Sequence, residues 1–200
     1  MDTRQLIINI SRDLFSRYGY EGVSIRMITD KAKVNLGAIT YHFGGKENLY
    51  TAVIQDAVKD VAKRIFEISE MSGTPDERLL VYVEDFMYMA LKQRNKIRLI
   101  LREMSNEEPR ALKAMEPFIK VNFRNVNAII EDGIKEGIFH VSDSTFSAYH
   151  IISLCTHAVT VHMVLMYLKP KEIKADDMYR KLAHETALFA VSGLKQIKKG

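Results

Sequence analysis

The 200-residue chain has few of the residues on which cross-linked, metal-rich or β-structured proteins depend. Its single cysteine, Cys155, excludes an internal disulfide and a cysteine-rich zinc site. Proline and glycine are scarce, at 4 and 10 residues, and long alternations of Val, Ile and Thr are nearly absent, which favours an all-helical chain. Because no apolar signal segment opens the sequence, we expect a cytoplasmic protein.

The longest uncharged segment runs from Ser144 to Leu168 and contains no Asp, Glu, Lys or Arg in 25 residues. It is long enough to cross a bilayer. Three histidines and several hydroxyl side chains lie within it, however, and the chain has no second apolar segment of this kind. We therefore predict a helix buried between protein surfaces, and no membrane partner.

The segment from Ser24 to Leu49 carries the pattern of two short helices joined by a tight turn. Ser24 can cap the first helix, and Asn35 can cap the second, which is about two turns long. Their inward side chains, at helical spacing, are Ile25, Ile28, Thr29, Ala32, Ile39 and Phe43. This pattern is typical of a helix-turn-helix and indicates binding to DNA.

The second helix of this pair presents small, hydroxyl and imidazole groups on its outer side, which suit base edges and phosphates. The following helix begins at Lys46, whose charge adds to the free N–H groups at that helix N-terminus. The candidates for phosphate contacts are Ser24, Arg26, Tyr41, His42 and Lys46. The candidates facing bases are Leu36, Gly37, Ala38 and Thr40, and Asn35 completes the candidate DNA-binding set.

An upstream helix completes a three-helix module, since Gly19 supplies a stop and inward positions recur at Ile7, Ile10, Leu14 and Tyr18. Residues 5–55 contain a set of features that together form a recognisable pattern. They are a phenylalanine in the first helix, the Gly19-Tyr20 pair, Ser24, Gly37, the Tyr41-His42-Phe43 run and Lys46-Glu47. In these features the segment resembles the N-terminal domain of TetR-family transcriptional repressors.

Three positions depart from the family pattern that this segment resembles, and one of them is Thr29, which replaces a common alanine. Lys33 stands in the turn where the family usually has glycine, so a requirement for positive φ there would cost about 1 kcal/mol. Thr40 stands where an aromatic residue or asparagine is frequent. The operator sequence is therefore not transferable from relatives.

Capping signals and stops divide the remaining chain into antiparallel helices. The predicted helices are Lys46 to about Ile68, Pro75 to about Gln93, Ile97 to Met104, Pro109 to Glu136, one that begins at Asp143, and Asp176 to Ile197. We predict an all-α fold of about nine helices, with a three-helix head followed by a larger antiparallel helical bundle. Residues 1–48 form the predicted helix-turn-helix DNA-binding domain, and residues 49–200 the predicted helical effector-binding and dimerisation domain.

The last predicted helix has a stripe of small residues that permits close helix approach. Its members are Ala183, Ala187, Ala190 and Leu194, with Ile197 one step beyond. Either the stripe forms a dimer surface or it packs only on its own subunit. The resemblance implies a homodimer built from the last two long helices, and a dimer would address two DNA half-sites.

One polar residue, Asn122, interrupts the apolar stripe of the helix that begins at Pro109. A buried amide needs a partner, which is either a hydrogen bond to a neighbouring helix or a ligand in a cavity. The resemblance implies an effector cavity in this domain, for a small molecule that we expect to be largely apolar. The candidate effector-binding residues are Tyr82, Phe86, Phe118, Asn122 and His157.

The histidines do not form a metal-binding pattern. His150 and His157 share a helix face but lie seven residues apart, about 10.5 Å along the axis, which is too far for one zinc ion. The sequence contains no His-Glu-x-x-His pattern, Gly-rich phosphate loop or nucleophile elbow. We expect no metal, no cofactor and no enzyme.

The sequence therefore predicts a ligand-responsive, DNA-binding transcriptional regulator that acts as a repressor. Its net charge of +4 and its isoelectric point near 9.0 permit a double-stranded DNA partner. Two alternatives remain: a transcriptional activator, and a helical adaptor that has lost DNA binding.

Overall fold

The computed structural model describes residues 2–168 and 175–196. Within these residues the chain forms nine α-helices and no strand, which confirms the predicted all-α fold. The helices are α1 (Thr3–Tyr18), α2 (Ile25–Ala32), α3 (Gly37–Phe43), α4 (Lys46–Ser69), α5 (Pro75–Lys92), α6 (Arg94–Ser105), α7 (Pro109–Lys135), α8 (Ser144–Leu168) and α9 (Ala175–Gln196). The predicted end of the last helix at Ile197 lies outside the described residues.

Short polar side chains fix where several helices begin. The Ser24 hydroxyl accepts a 3.1 Å hydrogen bond from the Met27 backbone N–H, and Asn35 Oδ1 accepts one of 2.9 Å from the Ala38 N–H. Asp143 caps α8 in the same way, through a 2.9 Å bond from the Phe146 N–H. These side chains satisfy N–H groups that a helix start leaves without a backbone acceptor, which is why the sequence located these starts correctly.

The contacts divide the chain into two compact units. The head unit comprises Met1–Asp60 and Gln93–Phe118, and the bundle unit comprises Val61–Lys92 and Ile119–Gly200. The head unit therefore includes α6 and the start of α7 as well as the helix-turn-helix. The predicted boundary after residue 48 separates a DNA-binding domain from an effector-binding and dimerisation domain. Because that division is one of function and not of contacts, it stays a prediction.

The core of the head unit gathers apolar side chains from α1 to α4, α6 and the start of α7. At its centre, the Phe15 and Tyr50 rings meet edge to face at 4.9 Å, and Tyr20 meets Tyr50 at the same distance. The prediction that Tyr18 faces inward is wrong, because its side chain is 53% exposed. Tyr18 is the last residue of α1, and after the turn at Gly19 it is Tyr20 that packs on the core.

In the bundle unit, α5 packs against both α8 and α9. A row of polar contacts joins α5 to α9, namely Asp76 with Lys195, Glu84 with His184, and Tyr88 with both Asp176 and Arg180. The uncharged helix α8 buries Ile151, Cys155 and Val159 on one side. Among the described residues, no helix is both long and apolar enough to cross a membrane.

Candidate nucleic-acid interface

The turn between α2 and α3 is closed by one residue in the left-handed conformation. Lys33 has φ 55° and ψ 44°, and its backbone N–H reaches the carbonyls of Thr29 and Asp30. The Val34 N–H donates a further 3.1 Å bond to the Thr29 carbonyl. The positive φ anticipated at this position is present, at a cost of about 1 kcal/mol for a lysine. The resulting short turn lets α3 start three residues after Val34.

The seven-residue helix α3 has one buried side and one open side. Ile39 is fully buried and Phe43 nearly so, which anchors the helix on the core of the head unit. On the other side, Thr40 is exposed and Tyr41 is 85% exposed, and Leu36, the residue just before the helix, is 59% exposed. A large aromatic side chain left in solvent beside a small hydroxyl residue is available for a groove of DNA.

The remaining predicted DNA contacts differ in how open they are. Ser24, Arg26, Asn35 and Gly37 are exposed, although the oxygens of Ser24 and Asn35 already accept capping hydrogen bonds. Ala38 and His42 are half-buried, and Ala38 packs against the core of the head unit. Leu36 and Tyr41 are the large apolar side chains of the set that the structure leaves exposed. The roles of all ten residues stay predictions.

Lys46, the first residue of α4, has its ammonium group held over an aromatic ring. Its Nζ lies 4.2 Å from the centroid of the Tyr20 ring, and the Arg110 guanidinium lies 4.4 Å from the same centroid. Cation–π contacts of this kind restrict a flexible lysine. Lys46 therefore has its charge positioned at the N-terminus of α4, where backbone N–H groups also favour an anion.

A second candidate site lies inside the bundle unit, around Asn122. The Tyr82 hydroxyl donates a 2.9 Å hydrogen bond to Asn122 Oδ1, and the Phe86 ring stacks on Tyr82 at 5.9 Å. Of the two alternatives for Asn122, the hydrogen bond to a neighbouring helix is thus present. Burial and the neighbouring Cys155 raise the pKa of Tyr82 well above its usual value, and burial raises the pKa of Cys155 to about 12. Both groups are therefore neutral, like the Phe86 ring and the Asn122 amide beside them.

Two of the predicted effector-binding residues do not belong to this interior. His157 is exposed on the outer side of α8, so its place among the residues of an interior pocket is corrected. Phe118 belongs to the head unit and packs against that unit's core. The structure thus brings together only Tyr82, Phe86 and Asn122 from the predicted set. The helical spacing of apolar residues along α7 could not reveal that this helix passes from the head unit to the bundle unit after Phe118.

The predicted dimerisation stripe is also corrected. Ala183, Ala187, Ala190 and Leu194 are buried in the single chain, on the helix that packs closely against α5. Small residues do permit close approach here, but the neighbouring helix is in the same subunit. These four side chains consequently offer no surface to a second copy.

The outer sides of α8 and α9 carry exposed apolar residues that the sequence analysis missed. On α8 they recur at helical spacing at Phe146, Tyr149, Val161 and Val164, and on α9 they are Leu188 and Phe189. Along α8 the apolar residues lie on all sides, so periodicity alone could not separate the buried side from the outer one. The sequence feature that could have indicated this exposed apolar surface was the absence of any charged residue on the outer side of α8.

No group of three or more His, Cys, Asp or Glu side chains suited to a metal ion occurs in residues 2–168 and 175–196.

Comparisons with known proteins agree with this architecture. The family profile "Bacterial regulatory proteins, tetR family" matches residues 7–53, and "Tetracyclin repressor-like, C-terminal domain" matches residues 72–160. Among curated relatives, "Probable HTH-type transcriptional regulator YttP" of Bacillus subtilis is 26% identical over 138 residues, 68% of this chain and 67% of that protein. The "HTH-type transcriptional repressor AcnR" of Corynebacterium glutamicum is 35% identical over 66 residues, about a third of each chain (33% and 35%).

A solved structure shows the same fold. The transcriptional regulator FadR from Bacillus subtilis, in complex with stearoyl-CoA, superposes with a TM-score of 0.76 at 17% identity, covering 94% of this chain and 98% of FadR. The helix-turn-helix head and the helical second unit define a DNA-binding transcriptional regulator. The two family profiles together span about two thirds of the chain, and the chain belongs to the tetR family of bacterial regulatory proteins, which confirms the expected class.

Proposed function

We propose that this chain is a homodimeric repressor that leaves its DNA operator when a small, largely apolar molecule binds in the bundle unit. The observation that carries the DNA-binding part is the open side of α3. Tyr41 and Thr40 are exposed on a helix whose opposite side is fixed in the core, and Leu36 is exposed just before that helix. The similarity to AcnR, a repressor by name, supports repression as the direction of control.

The effector part of the proposal rests on the neutral side chains of Tyr82, Phe86 and Asn122. A hydroxyl and an amide among apolar side chains favour an apolar molecule with one or two polar atoms. FadR, which has the same fold, was solved with stearoyl-CoA, and this supports acyl compounds as the first class to screen. A coupling of about 1–3 kcal/mol between effector and DNA would lower operator affinity 5- to 150-fold.

The dimer part of the proposal uses the exposed apolar residues of α8 and α9 in place of the alanine stripe. Aromatic residues such as Phe146, Tyr149 and Phe189 are typical of the buried centre of a protein interface. The outer side of α8 also carries His157, which this arrangement places at the subunit interface. Two copies joined in this way would offer two α3 helices to two half-sites.

The deciding experiment is fluorescence anisotropy with the purified protein and the DNA upstream of its own gene, across a salt series. A random duplex of equal length is the control. We expect the operator to bind at least about 10³-fold more tightly than the random duplex. Equal, weak binding to both duplexes would contradict the proposal for this DNA and favour a helical adaptor.

Two variants separate phosphate contacts from base contacts in the same assay. Lys46→Ala should weaken binding to both duplexes alike and reduce the slope of log K against log salt by about one unit per contact. Leu36→Ala should weaken operator binding and leave the random duplex unchanged, because only base contacts carry sequence information. The reverse pattern would overturn both assignments. A reporter gene fused to the bound promoter then distinguishes repression from activation.

A further inference from the structure

Arg4 lies in the first turn of α1, yet its side chain reaches the end of α3. The guanidinium carbon is 5.1 Å from the centroid of the Phe43 ring, and Phe43 is the last residue of α3. The Arg4 backbone is held as well, because its N–H donates a 3.2 Å hydrogen bond to the capping Asp2 carboxylate. The contact therefore places an ordered positive charge beside the candidate recognition helix.

Helix stability does not explain an arginine at this position. The N-terminus of a helix carries a partial positive charge, which disfavours a cation in the first turn. The cation–π contact with Phe43 is of similar size and opposite sign, so the two effects largely cancel. Arg17 is at the other end of the same helix, where a cation is favoured.

The charge of Arg4 also lacks an anionic partner. The Arg4 side chain is exposed, and among the described residues it forms no ion pair. Other cations of the head unit do have partners, such as Arg12 with Asp56 and Lys96 with Asp60. Arg4 is thus ordered by an aromatic ring while its charge remains available.

The position of Phe43 at the C-terminal end of α3 indicates what this charge meets. A recognition helix contacts base edges through its N-terminal residues, so groups beside its C-terminal end lie towards the edges of the major groove. The phosphates run along those edges. We infer that Arg4 binds a DNA phosphate beside the C-terminal end of α3, outside the helix-turn-helix. This inference rests on the proposed DNA-binding function.

The test compares Arg4→Gln, Arg4→Lys and the wild type in the salt-series anisotropy assay, with the operator and a random duplex. Arg17→Gln is the matched control, because it removes an exposed arginine from the opposite end of α1. Loss of one phosphate contact per protomer should reduce the salt slope by about 0.9 per protomer. At 0.1 M salt this corresponds to about an eightfold loss of affinity for each contact, on both duplexes. Thermal unfolding of each variant shows whether the fold is retained.

We expect Arg4→Gln to reduce the slope, Arg4→Lys to retain it, and Arg17→Gln to leave it unchanged. A wild-type slope for Arg4→Gln, or equal losses in Arg4→Gln and Arg17→Gln, would overturn the inference. A lower melting temperature with an unchanged slope would mean that Arg4 only ties α1 to α3. If the wild type itself binds no duplex, the proposed function fails, which is distinct from failure of the Arg4 assignment alone.

Discussion

The Tyr82 hydroxyl donates a 2.9 Å hydrogen bond to Asn122 Oδ1, and the two residues, 40 positions apart, are both buried in the bundle unit. This bond gives the amide inside an apolar stripe its partner. It joins α5 to α7 through neutral groups, so its strength should depend little on salt. The same two residues are the polar part of the proposed effector site.

Tyr82→Phe should destabilise the protein, because the Asn122 carbonyl oxygen then stays buried without a donor. The expected loss in the free energy of unfolding is about 1–3 kcal/mol. The double variant Tyr82→Phe with Asn122→Leu should recover part of this loss, since neither polar group then remains. Urea denaturation of the wild type, both single variants and the double variant gives the coupling energy. A coupling energy near zero would contradict the assigned hydrogen bond.

The helix-turn-helix was predictable from sequence because its determinants are local. Ser24 and Asn35 cap helices through bonds that span three residues, and Lys33 closes the turn within the same segment. The bundle unit depends on contacts between distant segments. Both sides of α9 carry apolar residues, small ones at Ala187 and large ones at Phe189, and only the position of α5 decides which side is buried.

Lys33→Gly should stabilise the protein. Lysine at φ 55° is strained by its Cβ, and glycine is not, although glycine loses more backbone entropy on folding. The net gain expected is about 0.5 kcal/mol, and at most about 1. Lys33→Ala is the matched control, because it removes the same charge and keeps the strain. Equal melting temperatures for the glycine and alanine variants would show that the backbone of this turn is unstrained.

Phe189→Glu should convert the proposed dimer to monomers. Phe189 is 72% exposed in the single chain, and a carboxylate placed in an apolar interface would be desolvated without a partner. Phe66→Glu is the matched control, because Phe66 is a 61% exposed phenylalanine on α4, outside the proposed interface. Sedimentation velocity reports the oligomeric state of each variant. Dissociation of the Phe66 variant, or an intact dimer of the Phe189 variant, would place the interface elsewhere.

Glu103→Gln should raise stability at neutral pH and have little effect near pH 4. Glu103 is buried in the head unit next to Tyr50, and burial raises the pKa of its carboxyl group above the usual value, although the Tyr50 hydroxyl and then the Arg102 guanidinium oppose the shift. A raised pKa in the folded state means that stability falls as the pH rises through that pKa, because the folded protein must then hold a desolvated carboxylate. Below the pKa of the unfolded chain the group is protonated in both states, and this penalty disappears.

The glutamine variant carries no such charge, so the difference in melting temperature between it and the wild type should grow from pH 4 to pH 7. Glu107→Gln is the control, because Glu107 lies in the same segment but is exposed. Thermal unfolding of the three proteins across this pH range measures the difference directly. The opposite result would be a glutamine variant that is less stable than the wild type, by a margin that grows from pH 4 to pH 7. In that case the attraction between the Glu103 carboxylate and Arg102 would outweigh desolvation, and Glu103 would be a stabilising buried anion.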